Sequence, residues 1–204
     1  KLGLLDRIDT EMGPTAAPIV PKRWGRLNTM TIAYGHGLSV TPLHLASAAA
    51  ALVNGGYKVK PTFLARIRED VAGQFERVIK LQTSDLMRYL LRLNVQKGTG
   101  RRSDTAGYRV GGKTGTAQKV VNGRYSGTKL LNSYLGVFPM DAPEYLVLVV
   151  LDEPERVEET GGLATAGVNS APTVGRIIER IGPMLGVTPV MDQGRSSRGQ
   201  NPDA

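Results

Sequence analysis

An unbroken apolar run in the second half of the chain limits the possible folds more than any other feature. Within residues 144–152 it reads Tyr-Leu-Val-Leu-Val-Val-Leu. A short run that is so apolar and so rich in valine is typical of a central strand covered on both faces. Two more segments with a strand pattern precede it, at residues 109–121 and 130–140. The sequence therefore predicts three consecutive strands.

The connections between these strands predict how they pair. Asn122-Gly123 links the first two strands, and Asp141-Ala142-Pro143 links the second to the third. These residue types favour tight turns, and connections this short join antiparallel neighbours. We therefore predict an antiparallel sheet.

Three helices are predicted to flank this sheet. The first has Thr41 as its N-cap, a proline in its first turn, an Ala- and Leu-rich body and a glycine stop. The second is capped by Thr83 or Ser84 and ends at Gly98. The last starts at Ser170 and has an apolar stripe on one side. The predicted fold class is therefore α/β of the α+β kind, an antiparallel sheet flanked by helices.

The remaining segments are less regular. Residues 1–30 are rich in Pro, Gly and Thr and are predicted to be mostly loop. Residues 61–70 alternate apolar and polar side chains, which favours a strand with one covered face. After Gly186 there is little to bury, so we assign residues 1–187 to a domain and residues 188–204 to a disordered tail.

Composition excludes several kinds of site. The 204 residues include no cysteine, so disulfides and thiolate metal sites are ruled out. His36 and His44 have no Asp or Glu at metal-ligand spacing, and we predict neither a metal nor a cofactor. The net charge of +8 would suit an anionic partner, but the basic residues are scattered and aromatic residues for base stacking are few. No nucleic-acid partner is expected.

The sequence also bears on membrane attachment. No stretch approaches the roughly 18 consecutive apolar residues that a membrane-spanning helix requires. The chain begins at Lys1 and not at a methionine, as expected of a fragment or a processed product. Any targeting or anchoring segment is therefore expected upstream.

A cation, two hydroxyls and a glycine follow one another in the first predicted strand, as Lys113, Thr114, Gly115 and Thr116. Side chains alternate along a strand, so Lys113 and Gly115 face one way and the threonines face the other. An ammonium group and hydroxyls suit a carboxylate, and a strand N–H can donate to an oxyanion. A glycine lets a ligand backbone approach. The pattern indicates a cradle for a peptide carboxylate, but an ordinary edge strand with surface Lys and Thr would read the same.

Several segments, in the right order, resemble class B penicillin-binding proteins, especially the cell-division type. Residues 34–46, Tyr-Gly-His-Gly-Leu-Ser-Val-Thr-Pro-Leu-His-Leu-Ala, resemble their Tyr-Gly-x-Gly loop and following helix. Lys113-Thr114-Gly115 resembles their active-site strand, and Gly98-Thr99-Gly100 resembles the lead into it. The resemblance covers nearly the whole chain. It implies the C-terminal portion of a fold like that of penicillin-binding transpeptidases and serine β-lactamases, incomplete in this chain.

The resemblance implies a peptidoglycan D,D-transpeptidase of septal cell-wall synthesis. In such an enzyme a serine attacks the carbonyl between the two terminal D-alanines of a stem peptide. The acyl group then passes to a cross-strand amine, whereas a β-lactam leaves the serine blocked. Stem peptides, β-lactams and divisome proteins are the implied partners, and the periplasmic face of the inner membrane is the implied location.

The serine nucleophile of this family is not convincingly present. The family combines S-x-x-K, S-x-N and K-T-G motifs, and no S-x-N occurs here. A literal S-x-x-K begins at Ser126, but it follows a hairpin turn, and Gly127 and Thr128 form helix poorly. Ser126 is predicted not to be the nucleophile, and this chain alone is predicted to be inactive. The expected partner is an upstream segment that carries the two missing motifs.

The resemblance also implies roles for the motif residues. Lys113 and Thr116 would be catalytic: Lys113 would supply positive potential, and the backbone N–H of Thr116 would form half of the oxyanion hole. Thr114 and Thr116 would bind the substrate carboxylate, and Gly115 would give the substrate clearance.

Residues at the rim of the site are assigned less directly. Division-type members present aromatic residues where Tyr34 and His36 lie, and another before Gly161-Gly162. This chain departs from that pattern at His36 and Thr160. Tyr34 could form a wall of the cleft or take part in ordinary packing. His36 could contact the substrate or form a hydrogen bond that stabilises its loop. Gln118 could contact the substrate or be solvated.

Three other functions remain open at this point. A non-catalytic module could keep the fold for binding, and a serine β-lactamase or sensor would share the Lys-Thr-Gly strand. The long Tyr-Gly-x-Gly segment favours the transpeptidase over the β-lactamase. A basic nucleic-acid-binding domain would rest on charge alone and would bind with a steep salt dependence.

Overall fold

Helices lie on both faces of an antiparallel sheet. The computed structural model describes residues 1–66 and 75–190. Its helices are α1 (Arg26–Ile32), α2 (Pro42–Val53), α3 (Leu81–Lys97) and α4 (Ser170–Met184), with short 3₁₀ helices at Arg101–Ser103 and Glu158–Thr160. Its strands are β1 (Tyr57–Lys58), β2 (Glu76–Arg77), β3 (Gly111–Val121), β4 (Arg124–Phe138) and β5 (Tyr145–Asp152).

The main sheet has the order β3-β4-β5 in the part of the chain that the structure describes, and both pairings are antiparallel. Asn122 and Gly123 form the turn between β3 and β4, with positive φ values of 51° and 76°. A two-residue hairpin turn of this kind requires that backbone conformation. The predicted antiparallel sheet and the fold class are confirmed, although β4 begins earlier than predicted.

The prediction that β5 is a central strand is wrong for the described residues, because β4 lies in the middle and β5 at the edge. The apolar run has another physical reason. Its side chains alternate between two hydrophobic cores: Tyr145, Val147 and Val149 pack against one, and Leu146 and Leu148 against the other. Contact with apolar layers on both faces therefore requires an unbroken apolar strand even at the edge of the sheet.

The two cores hold the helices on opposite faces of the sheet. On one face α4 packs on β4, and Gly136 of β4 makes room for Val174, because a Cβ atom at Gly136 would lie 2.6 Å from Val174 Cγ1. On the other face α3 packs on β3 and α2 packs on α3 and β5, with β4 side chains in the shared core. The first core consists of Tyr108, Val110, Tyr134, Phe138, Ala171, Val174, Ile178 and Val187. The second consists of Ala49, Val53, Leu91, Leu135, Val137 and Met140.

The predicted helix starts are confirmed for α2 and α4 but not for α3. Thr41 Oγ1 accepts a hydrogen bond from the backbone N–H of His44 at the start of α2. α3 starts at Leu81, before the predicted caps Thr83 and Ser84. Ser84 has a different role, because its buried hydroxyl donates to Leu52 O and accepts from Gly55 N–H. The serine therefore joins α3 to the end of α2.

Three irregular segments also differ from their predictions. Residues 26–30, predicted as loop, belong to α1. Residues 61–66 form no strand, and the rest of the strand predicted at 61–70 lies outside the described residues. At the start of the predicted tail, Val190 N–H donates to Gly107 O at 2.8 Å, so residues 188–190 still contact the domain. Residues 191–204 lie outside the described part of the chain.

We expect Gly136→Ala to lower the free energy of unfolding by about 1–3 kcal/mol, because the added methyl group collides with Val174 in a packed interface. Urea unfolding of the purified protein measures this change. The matched control is Gly127→Ala in the same strand, where a Cβ atom would meet nothing within 4 Å. Equal effects of the two substitutions would contradict the packing of α4 described here.

Candidate active site

The Lys-Thr-Gly motif lies on an edge strand. Among the described residues β3 pairs only with β4, so its other edge is open to an extended ligand. Gly115 lies opposite Ser133, and Thr114 opposite Tyr134. Residues that are directly paired share a face of the sheet. Lys113 and Gly115 therefore lie on the Ser133 face and the two threonines on the α4 face, so the predicted alternation is confirmed.

Glycines let β3 lie close to its neighbour. A side chain at Gly112 would collide with the Tyr134 hydroxyl. At Gly115 a Cβ atom would lie 2.5 Å from Ser133 Oγ. The space beside Gly115 is therefore partly occupied by a serine of β4, and clearance for a substrate at this glycine stays a prediction.

The Thr114 hydroxyl is fixed by the end of α3. Asn94 in the last turn of α3 donates from Nδ2 to Gly112 O at 2.8 Å. Thr99 Oγ1 lies 2.9 Å from Thr114 Oγ1 and 3.3 Å from Asn94 Oδ1. The role of Asn94 was missed in the sequence. Its signal is an amide in the last turn of a helix that leads by a Gly-Thr-Gly segment into the motif strand.

The Thr116 hydroxyl is held by the segment that precedes α4. Thr116 Oγ1 accepts a hydrogen bond from Ala166 N–H at 3.1 Å. Opposite Thr116, the buried Asn132 donates from Nδ2 to Ala164 O at 2.6 Å and to Asn169 Oδ1 at 3.1 Å. Sequence reasoning missed both contacts, because residues 164–169 carry no motif of their own. The available signal is an Asn that directly follows two leucines in the strand.

Lys113 is exposed on the opposite face of β3. Its ammonium group donates to Thr114 O at 2.8 Å. Within residues 1–66 and 75–190 it forms no ion pair with a carboxylate. Its charge is therefore not neutralised by the described part of the chain and can act on an anionic group.

A buried tyrosine supports β3 from behind. Tyr134 is fully buried, and its hydroxyl lies 2.6 Å from Ser103 Oγ, which donates to Gly100 O. Since Ser103 donates its hydroxyl proton to Gly100 O, the Tyr134 hydroxyl donates to Ser103 Oγ. Burial raises the pKa of Tyr134 to about 12, although the bond to Ser103 opposes this shift. The phenol is neutral at physiological pH and has a structural role.

The rim residues make contacts with one another and with the β3–β4 hairpin. Tyr34 and His36 lie in the loop between α1 and α2, with ring centroids 5.5 Å apart. His36 also contacts Tyr125, just after the hairpin turn, at 6.0 Å. His44 is buried, with Nδ1 2.7 Å from Thr41 Oγ1 and Nε2 2.9 Å from Asp6 O. Because both ring nitrogens of the buried His44 bond to groups of the protein, His44 has a structural role.

Gln118 is exposed, and the register of β3 against β4 shifts between Gln118 and Val120. An ion cluster ties the three strands together at this point. Lys119 Nζ lies 2.9 Å from Asp152 and 2.8 Å from Glu153. Hydrogen bonds to Asp152 and, with a smaller effect, to Glu153 raise the pKa of Lys119. Hydrogen bonds from Lys119 and, with a smaller effect, from Lys129 lower the pKa of Glu153. The cluster fixes the end of the motif strand.

Three further features limit the chemistry of the described residues. No group of three or more His, Cys, Asp or Glu side chains there could hold a metal ion. None of the helices in the described ranges is long and apolar enough to cross a membrane. Ser126 lies in β4 and not in a helix, and its hydroxyl accepts from Lys129 N–H at 3.1 Å.

Comparison with known proteins decides the family. A model described as the penicillin binding protein transpeptidase domain matches residues 6–179. This chain belongs to the penicillin-binding protein transpeptidase family. The resemblance seen in the motifs is thereby confirmed.

Curated relatives of the family are longer than this chain. The chain is 37% identical over 195 residues to the probable peptidoglycan D,D-transpeptidase FtsI of Caulobacter vibrioides. The matched segment covers 91% of this chain and 33% of that protein. It is also 37% identical over 182 residues to stage V sporulation protein D of Bacillus subtilis. That matched segment covers 84% of this chain and 27% of the Bacillus protein. The chain therefore spans about a third or less of the length of these relatives.

Solved structures of the family confirm the fold. The apo transpeptidase domain of Burkholderia pseudomallei penicillin-binding protein 3 matches with a TM-score of 0.81 and 32% identity, over 94% of this chain and 57% of that one. Penicillin-binding protein 3 of Mycobacterium tuberculosis in complex with ampicillin matches with a TM-score of 0.77 and 27% identity, over 95% of this chain and 46% of that one.

The raised pKa of Tyr134 predicts a specific loss of stability in alkali. The neutral phenol is favoured in the folded state, so its contribution is complete below pH 10 and is lost as the pH rises to about 12. We expect Tyr134→Phe to remove this part of the pH dependence, worth roughly 2–3 kcal/mol. Urea unfolding of both proteins between pH 9 and pH 12 measures it. Parallel curves for the two proteins would contradict the assignment.

Proposed function

We propose that this chain provides the Lys-Thr-Gly half of the active site of a peptidoglycan D,D-transpeptidase of septal cell-wall synthesis. The observation that carries the proposal is a strand edge that has no partner among the described residues, with the exposed Lys113 ammonium group on one face of the strand and two fixed threonine hydroxyls on the other. Such an edge can pair with an extended peptide while a threonine hydroxyl binds its terminal carboxylate and the Lys113 ammonium group adds positive potential.

The hydrogen bonds favour Thr116 over Thr114 as the carboxylate donor. Thr116 Oγ1 already accepts from Ala166 N–H, so its own proton is available to a ligand. The Thr114 hydroxyl already has a partner in Thr99, whose proton can go to Asn94 Oδ1. In that arrangement Thr114 donates to Thr99. Thr114 therefore positions the strand, and Thr116 binds the substrate.

The nucleophile is proposed to come from an upstream segment. Its serine oxygen would form an ester with the carbonyl carbon of the penultimate D-alanine, and the C–N bond to the last D-alanine would break. The serine proton would pass through a base to the leaving amine. An amine of a second strand would then displace the serine and form the cross-link. Ser126 suits this role poorly, because it lies in a strand and already accepts a hydrogen bond from Lys129 N–H.

The Lys113 face of the sheet supports this proposal. Near Lys113 this face carries Ser133, Leu131 and Val150, and the two apolar side chains are 40% and 41% exposed. α2 and α3 cover the other end of the same face. We propose that the upstream segment with the S-x-x-K and S-x-N motifs packs on the end of this face that α2 and α3 leave uncovered. The proposal includes a periplasmic location at the inner membrane and divisome partners, as the resemblance to division-type penicillin-binding proteins implies.

Acylation by a labelled penicillin tests the proposal. Intact mass is measured for this chain, for the full-length protein and for the full-length Lys113→Ala variant. We expect the full-length protein alone to be labelled rapidly. Loss of the positive potential should slow the Lys113→Ala variant by roughly 10- to 100-fold. Lys60→Ala, which removes another exposed lysine, should label like the wild type.

Each other outcome favours a different function. Labelling of this chain alone would make Ser126 or another local serine the nucleophile. Rapid hydrolysis of the penicillin by the full-length protein would favour a serine β-lactamase. No labelling of any protein would favour a non-catalytic binding module.

The two threonines should respond differently to substitution. Val matches Thr in shape but has no hydroxyl, so we expect Thr116→Val in the full-length protein to slow acylation by roughly 10- to 100-fold. Thr114→Val should have a smaller effect on acylation and should lower thermal stability, because it removes the partner of Thr99. A larger kinetic effect at Thr114 than at Thr116 would reverse the assignment of the carboxylate donor.

A further inference from the structure

The tripeptide Val-Asn-Gly occurs twice in the sequence, at residues 53–55 and at residues 121–123. The first copy lies at the end of α2, and the second forms the turn between β3 and β4. In an Asn-Gly pair the backbone nitrogen of the glycine can attack the asparagine side chain, because glycine has no side chain to hinder the approach. The two copies have the same local chemistry but different surroundings.

The first copy is locked by hydrogen bonds. Asn54 Nδ2 donates to Tyr57 O at 2.8 Å, and Asn54 Oδ1 accepts from Tyr57 N–H at 2.9 Å. The N–H of Gly55 donates to the Oγ atom of the fully buried Ser84 at 3.0 Å. The attacking nitrogen and both ends of the attacked amide are therefore engaged, and all of these contacts must break before the two groups can react.

The second copy has no such restraint. Within the described ranges, neither the Asn122 amide nor the N–H of Gly123 forms a hydrogen bond. Both residues are exposed, and a Cβ atom at Gly123 would meet nothing within 4 Å. Asn54 is also exposed, so access to water does not distinguish the two copies. The difference between them lies in their hydrogen bonds.

We infer that Asn122 is a site of spontaneous deamidation, and that the same tripeptide at Asn54 is protected by its hydrogen bonds. The Gly123 nitrogen gives up its proton to a base in the solvent and forms a bond to Asn122 Cγ. The bond from Cγ to Nδ2 then breaks, and the nitrogen leaves as ammonia with a proton from water. Water next adds to one of the two carbonyl carbons of the resulting succinimide ring. Ring opening at one or the other C–N bond gives aspartate or isoaspartate.

The product changes the hairpin. Either product adds a carboxylate to the turn, and isoaspartate also adds a methylene group to the main chain. A two-residue turn with φ values of 51° and 76° has a fixed length, so the pairing of Val121 with Arg124 must change. The ion cluster of Lys119 with Asp152 and Glu153 lies between the turn and the Lys-Thr-Gly motif. We expect the cluster to confine the change to the hairpin.

Peptide mapping by mass spectrometry tests the inference on the folded full-length protein, incubated in a mildly alkaline buffer. Each deamidation raises the mass of its peptide by about one dalton. We expect Asn122 to react at least roughly tenfold faster than Asn54, because only Asn54 must first lose its hydrogen bonds. In concentrated urea the two sites should react at rates within about threefold of each other, because unfolding removes these bonds and the neighbouring residues match. The control variant Asn122→Gln should lose the reaction at residue 122, because a longer side chain closes the ring much more slowly.

Equal rates at the two sites in the folded protein, or a faster reaction at Asn54, would overturn the inference. So would a folded protein in which Asn122 does not react. Hydrogen exchange of the aged protein, compared with the aged Asn122→Gln variant, measures how far the change extends. We expect faster exchange in residues 120–125 and unchanged exchange in residues 111–118. Faster exchange in residues 111–118 would overturn the role given to the ion cluster.

Discussion

The Tyr134 hydroxyl occupies a space that glycines leave open on two sides, and the position of the motif strand depends on it. A Cβ atom at Gly100 would lie 2.6 Å from that oxygen, and one at Gly112 would collide with it. The oxygen is fully buried, so it must have a hydrogen-bond partner, and Ser103 is that partner. β3 can therefore approach β4 and the Gly100 turn in only one arrangement.

The same principle of fixing the strand from behind applies to both threonines. α3 reaches Thr114 through Asn94 and Thr99, and the segment before α4 reaches Thr116 through Ala166. These contacts come from two segments that are distant in the sequence and converge on one face of β3. The outer edge of β3 has no partner among the described residues. A rigid back and an open edge are what a preorganised peptide-binding strand needs, because ligand binding then orders little of the protein.

Local patterns predicted much of this architecture. The antiparallel strands, the start of α2 at Pro42 and the alternation of Lys113 with Thr114 follow from turn residues, capping residues and strand periodicity. The sequence could not predict the order of the strands. An apolar run indicates that both faces of a strand are covered, but it does not indicate whether both edges of the strand are paired. Nor could the sequence predict the tertiary role of Ser84, since a serine that caps a helix and one that joins two helices have the same local sequence. The contacts of Asn94, Ala166 and Tyr125 were missed for a similar reason, because each depends on a partner distant in the sequence.

The uneven cover of the sheet relates folding to chemistry. The α4 face is closed by a core that includes Tyr134, Val174 and Ile178, and none of these side chains is exposed. In the described part of the chain the opposite face is closed only where α2 and α3 reach it, and Leu131 and Val150 remain exposed on that face, which also carries Lys113. A segment that covers these apolar side chains lies on the same face of the sheet as the Lys113 ammonium group. Burial of that face would strengthen the field of the ammonium group by excluding water, so the contact that stabilises the fold would also complete the electrostatics of the site.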